Sequence, residues 1–164
     1  MAQRERTYSW EDPLQTAEQA LQMPGIDFLQ AIINGNIPAP PVMHTLDIKL
    51  GTLQTGLVTF SFTPQEFHYN PIGTVHGGVI TTILDSAMGC ALHSTLPQGT
   101  GYTTLELKVN FLKAVNTKTG VLTATGKLIQ SGSRVALTEA QLTDEAGNIY
   151  AHATSTCMLL RKEG

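Results

Sequence analysis

Charge is scarce in this chain of 164 residues: Asp, Glu, Lys and Arg make up 14% of it, and the net charge is only −3. There is no basic excess and no dense Lys/Arg cluster, which argues against a nucleic-acid partner. No apolar run reaches the roughly 20 residues of a membrane span, and the start, MAQRERTYSWED, lacks the apolar core of a secretory signal. The expectation is a cytoplasmic protein with no membrane partner. Cysteine is equally sparse: Cys90 and Cys157 both lie inside apolar patterns and are expected to be buried free thiols. The five histidines, His44, His68, His76, His93 and His152, lack ligand spacings such as H-x3-H, so no metal site is expected. No G-x-S-x-G and no glycine-rich phosphate loop occurs, which removes the common serine-hydrolase and nucleotide-binding signatures.

What is present fits one domain with a real core. Residues 1–45 read as a helical arm, with a helix starting at Pro13 and a second over Ile26 to Ile33. Asn34-Gly35-Asn36 ends the second, and Pro38, Pro40 and Pro41 predict an extended connector. Residues 46–164 read as the main domain. Period-two alternation predicts strands over Leu46–Leu50 and Leu57–Phe62, then Tyr102–Leu112, Gly120–Gln130, Arg134–Thr143 and Tyr150–Leu160. One long helix follows Gly78. A helix against one face of an antiparallel sheet is an α+β arrangement.

That helix contains the most informative residue. Asp85 is the only Asp, Glu, Lys or Arg between Glu66 and Glu106. Val79, Ile80, Ile83, Leu84, Ala87, Met88, Cys90 and Ala91 form one helical half, suited to packing on the sheet. Thr81, Thr82, Asp85, Ser86, Gly89 and His93 form the other, broken by Leu92. That second half is small and neutral where a solvent face would carry Lys, Glu or Arg, so it suits close approach by another protein surface. Asp85 is therefore expected in a confined place, as a candidate base or nucleophile. Gly77 and Gly78 open the helix, where free N–H groups can bind a developing negative charge.

Gly77 and Asp85 are eight residues apart, about 12 Å along a helix axis. Two groups acting on one carbonyl must both come within roughly 3 Å of it. They cooperate only if an antiparallel second copy brings its Gly77 beside this Asp85, as a two-fold dimer does.

The stretch Asn70, Gly73-Thr74-Val75-His76-Gly77-Gly78 and Asp85, followed by Thr103, LKVNFLKA at 107–114, Gly132, Arg134, Glu139 and Thr143 to Gly147, resembles the hotdog-fold acyl-CoA thioesterases. Within them it is most similar to the PaaI-like phenylacetyl-CoA thioesterase branch. The resemblance spans about residues 46–160. It implies a long central helix wrapped by a curved antiparallel sheet, a homodimer, often a dimer of dimers, and hydrolysis of an acyl-CoA with no cofactor beyond the CoA of the substrate. By position it implies Asp85 as base or nucleophile and the partner's Gly77 N–H as the oxyanion donor. Asn70 would hold the water or the substrate carbonyl, His76 and Gly78 would line the same site, and Thr103 would bond near the carboxylate.

CoA carries phosphates, and the fork of Arg134, after the Gly132-Ser133 turn, suits them best; Lys113 and Lys108 are the weaker candidates. Met88, Leu92, Tyr69, Phe67 and the N-terminal arm are candidates for the acyl-pocket wall. Two other functions fit the same fold. A hydratase or dehydratase needs a histidine paired with an acid, and Asp85 nine residues after His76 suits that poorly. A non-catalytic acyl-CoA-binding module would have no use for Asp85 together with Gly77.

Overall fold

The computed structural model describes residues 3–161. Helix α1 runs Pro13–Ala20, with proline in the first turn and the Asp12 carboxylate accepting from the Leu14 N–H at 2.9 Å. Helix α2 covers Gly25–Ile33, one residue longer than predicted. The proline-rich connector is extended only as far as Pro40. Pro41 then opens a third helix, α3, Pro41–Leu46, because a missing N–H costs nothing in the first turn of a helix. Asp47, at φ 50°, closes α3 and donates its N–H to the Met43 carbonyl. The strand predicted from Leu46 therefore starts later, at Lys49.

Six strands follow: β1 Lys49–Gln54, β2 Leu57–Phe62, β3 Thr100–Phe111, β4 Leu122–Ser131, β5 Val135–Asp144 and β6 Ile149–Arg161. The last four match the predicted ranges to within two residues at either end. They form one antiparallel sheet in the order β1-β2-β4-β5-β6-β3, so β1 and β3 are its edges. Helix α4, Gly77–His93, lies against this sheet as the hotdog fold requires.

Side-chain volume explains how closely α4 sits. Ala124, Ala136, Ala140, Ala151 and Ala153 are essentially inaccessible and give the sheet a shallow inner face. Ile83, Leu84, Met88 and Leu92 of α4 are 0% exposed, each worth about 1.5–3 kcal/mol of burial. Met88 and Leu92 are thus core residues, not pocket wall. Phe28 and Leu29 of α2 join the same core cluster.

His68 is buried in a short 3-10 turn, Glu66–His68. Its Nδ1 accepts from the Gln65 N–H at 3.0 Å, so Nε2 is the nitrogen that donates to the Leu46 carbonyl, at 2.9 Å. Burial pushes its pKa below the ordinary 6.5, further lowered by Arg6 and opposed by the bond to Leu46 and by Asp47. The unfolded chain then takes up a proton at higher pH than the folded one, so the stability this side chain contributes near neutral pH falls as the pH drops through 6.5. Lower stability at pH 5.5 than at pH 7 is the expected result. Urea unfolding at both pH values checks it: His68→Gln should lose that part of the pH dependence.

Candidate active site

The start of α4 leaves one donor unused. His76 is the N-cap, and its Nδ1 accepts from the Gly78 N–H at 2.8 Å. Val79 and Ile80 donate to the His76 carbonyl. The Gly77 N–H alone, of the first four in the helix, has no acceptor among the described residues. A Cβ on Gly78 would come 2.9 Å from His76 Nδ1, so this cap needs a glycine there. Gly77 opens into a groove of about 310 Å³ that is also lined by Thr74, Phe111, Lys113 and Val115. Asn70 organises the loop leading in: its Oδ1 accepts from the Ile72 and Thr74 N–H groups, and its Nδ2 donates to Thr74 Oγ1. One N–H of that amide is left over.

Asp85 lies two turns further along, half-buried in a separate pocket of about 340 Å³. The two cavities share no lining residue. Thr104 Oγ1 donates to Asp85 Oδ1 at 3.1 Å. This corrects the assignment to Thr103, which is exposed on the opposite face of β3. The cause is a bulge between Thr104 and Glu106 in the β3–β6 ladder. Strict alternation counted back from Leu107 and Val109 puts Thr103 inward; one extra residue turns Tyr102 and Thr104 inward instead. Apart from Asp85 and these hydroxyls, the pocket is largely apolar, with Phe28, Leu29 and Ile32 of α2, Met43 of α3, and Leu50 and Phe60 of the sheet.

A profile of the thioesterase superfamily matches residues 72–151, a span that contains both Gly77 and Asp85. A provisionally named esterase of Saccharolobus solfataricus is 30% identical over 123 residues, 75% of this chain and 86% of that one. The chain belongs to the thioesterase superfamily. It is similar, at 26% identity over 88% of its length and 96% of the other's, to the medium/long-chain acyl-CoA thioesterase YigI of Salmonella typhimurium. A crystal structure from Ralstonia eutropha JMP134, provisionally described as a thioesterase related to phenylacetic acid degradation, superposes with a TM-score of 0.72. That protein is 27% identical, with 79% of this chain and 98% of that one covered. The chain is thus a thioester hydrolase of the PaaI-like hotdog type.

In this thioesterase the remaining sequence candidates separate. Lys113 stands in the Gly77 groove, its Nζ donating to Asn148 Oδ1 at 3.1 Å and lying 5.6 Å from the Tyr150 ring centre. Gly132, Ser133 and Arg134 form the exposed β4–β5 turn and line neither cavity. Tyr69 and Phe67 also lie outside the Asp85 pocket, whereas the arm supplies much of its wall. The small half of α4 is used partly within the chain: Gly89 is buried under the Tyr102 ring, and His93 is buried against Phe28.

Sequence reasoning missed Thr104, Tyr102 and His93 as pocket residues. Cys90, read as a buried thiol, is half-buried and lines the pocket; burial first, then the Asp85 charge, push its thiol up to about 12, so it is a neutral wall rather than a nucleophile. Among the described residues no three His, Cys, Asp or Glu side chains converge as a metal-ligand set, and no helix is long and apolar enough to cross a membrane.

Proposed function

We propose that the thioesterase hydrolyses acyl-CoA, at two equivalent sites each built from two copies of the chain. The observation that carries this is the pairing of a single free N–H at Gly77 with a carboxylate, Asp85, on one helix but in separate cavities. About 12 Å of helix lies between them, too far for one thioester carbonyl to reach both within a protomer. A second copy removes the difficulty.

Strand β3 supports that arrangement. It is an edge strand of 12 residues with an open backbone edge, and edges of that length call for a cover. Pairing β3 with its own copy about a two-fold axis near Leu105 sets the Phe111 end of one strand beside the Thr100–Thr104 end of the other. Phe111 overlies Gly77, its ring 3.1 Å from where a Cβ on that glycine would lie, while Thr104 bonds Asp85. Pairing therefore carries the free N–H of one copy toward the carboxylate of its mate. Leu137, Met158 and Leu160, exposed on the sheet, supply apolar area for a dimer of dimers.

In this reading the acyl group enters the apolar Asp85 pocket, and the partner's Gly77 N–H bonds the carbonyl oxygen as it becomes an oxyanion. Asp85 attacks the carbonyl carbon, directly or through a water it deprotonates, and the C–S bond breaks. CoA thiolate leaves without strong acid help, because its conjugate acid lies near the 8.5 of a free thiol. Asn70 and His76 flank the amide, and Lys113 and Arg134 are the cations offered to the CoA phosphates. No cofactor enters.

Release of free thiol from a panel of acyl-CoAs tests the reaction, and Gly77→Pro tests the amide. Proline is tolerated in a first helical turn, and His76 already has the extended backbone, ψ 134°, that a following proline requires. The N–H is removed, while the added ring presses on Phe111, whose ring would lie 3.1 Å from the new Cβ, so Gly77→Ala, which adds the same Cβ and keeps the N–H, is the control. Relative to Gly77→Ala, the proline variant should lose about 100- to 1,000-fold in kcat; equal turnover of the two would remove the Gly77 N–H from the mechanism.

A further inference from the structure

Helix α3 is a thin wall. Its six residues fall well short of the roughly 12 that an isolated helix needs in water, and none of them is buried. Met43, with Ile32 of α2 and Leu50 of β1, lines the Asp85 pocket on one side and a second cavity, of about 530 Å³, on the other. With open space on both sides, side-chain packing alone leaves such a wall loose.

The carbonyl groups of α3 show what fixes it. A helix end leaves its last carbonyls without partners inside the helix. The N–H groups of Asp47 and Ile48 take that of Met43. The other three are held from outside. Arg6 donates through Nη2 to the His44 carbonyl at 2.6 Å and through Nη1 to the Thr45 carbonyl at 2.5 Å, and His68 Nε2 donates to that of Leu46. The same guanidinium lies 4.0 Å over the Phe67 ring centre and 4.8 Å from that of Tyr8, while Arg4 pairs with Glu66. Glu66, Phe67 and His68 are the 3-10 turn. Residues 4–8 therefore strap α3 to that turn, and Arg6 stands where the two meet. A flat fork that bonds two neighbouring carbonyls while its face stacks on a ring is particular to arginine.

We infer that Arg6 is a positioning residue for acyl binding: it holds the α3 wall of the Asp85 pocket in place, and so sets how tightly the enzyme grips acyl groups long enough to reach Val42 and Met43. The inference rests on the acyl-CoA reading above and adds a specificity determinant upstream of the 72–151 stretch. Arg6 itself lines only the second cavity, so it acts through α3 and not on the substrate. Without it Met43 can turn into that cavity, and a long acyl group loses apolar contact, whereas a short one held beside Asp85 does not.

The test measures thiol release by the full chain with the shortest and the longest straight-chain acyl-CoA that the wild type turns over. Arg6→Ala should raise KM for the longest by about 10-fold, while its KM for the shortest and both kcat values stay within about twofold. Arg6→Lys, which keeps the charge but not the flat fork, should recover part of the loss. Met43→Ala should act in the same direction, and Arg6→Ala should add little to it, because the two share one path. Trp10, the only tryptophan, packs on Tyr8 at 5.7 Å, so its fluorescence anisotropy should fall in Arg6→Ala as the strap comes loose. Unchanged KM for the longest acyl-CoA in Arg6→Ala, or a fall in kcat common to both substrates, overturns the inference while leaving the hydrolase intact. Absence of thiol release from every acyl-CoA by the wild type would overturn the acyl-CoA reading, and this inference with it.

Discussion

Asp85→Asn is expected to lower kcat by about 100- to 10,000-fold with little change in fold or in binding of the CoA ester. Asparagine keeps the shape and an oxygen that accepts from Thr104 Oγ1, so the bond at 3.1 Å survives. Among the described residues the one salt bridge joins Arg4 and Glu66, far along the chain, so neutralising Asp85 strands no cation. In the proposed mechanism, what disappears is the negative charge that makes this oxygen nucleophilic toward carbon or basic toward water. Thiol-release kinetics should show the loss in kcat, and calorimetric titration with a CoA thioester should show affinity kept. That combination separates an enzyme from a passive acyl-CoA-binding module. Undiminished turnover in the variant would move the chemistry elsewhere.

A large loss of stability is expected from a single methyl group at Gly126. This glycine faces α4 from the middle of β4, and a Cβ there would stand 2.2 Å from the carbonyl carbon and oxygen of Ala87 and 2.7 Å from the Met88 nitrogen. These are backbone atoms of the central helix, which no rotamer change can move aside. Gly126→Ala should therefore cost more than about 3 kcal/mol, beyond the usual range for an overpacked core, and shift Asp85 relative to Thr104. Urea unfolding measures the loss. Gly101→Ala is the control, since its Cβ would meet Leu21 at 3.6 Å, an ordinary contact, and it should change little.

Much of this architecture is legible in the residues because its signals are local. The four long strands alternate so regularly that their limits are readable to within two residues. The lone carboxylate of α4 stands out because nothing else near it is charged. The misreadings share a different origin. Leu46-Asp47-Ile48 alternates like a strand, yet Pro41 starts a helix that swallows Leu46, and local alternation does not register a left-handed Asp47. Thr103 and Thr104 are chemically identical, and only a bulge detectable through pairing with β6 decides which one meets Asp85. Met88 and Leu92 lie on the same helix as Asp85 but turn into the core. The pocket wall instead comes from residues more than forty positions away in sequence, such as Phe28 and Ile32. Arg134 is chosen for its chemistry alone; that it stands on a turn outside both cavities of one protomer depends on where the β4–β5 hairpin ends, which leaves its part in binding CoA to experiment.

Asp85 belongs to the 72–151 stretch common to the superfamily, but the opposite wall of its pocket is made of Ala20 to Met43, upstream of that stretch. The carboxylate and the wall facing it thus come from different segments of the chain, so substitutions in the arm can reshape the pocket while α4 keeps its sequence.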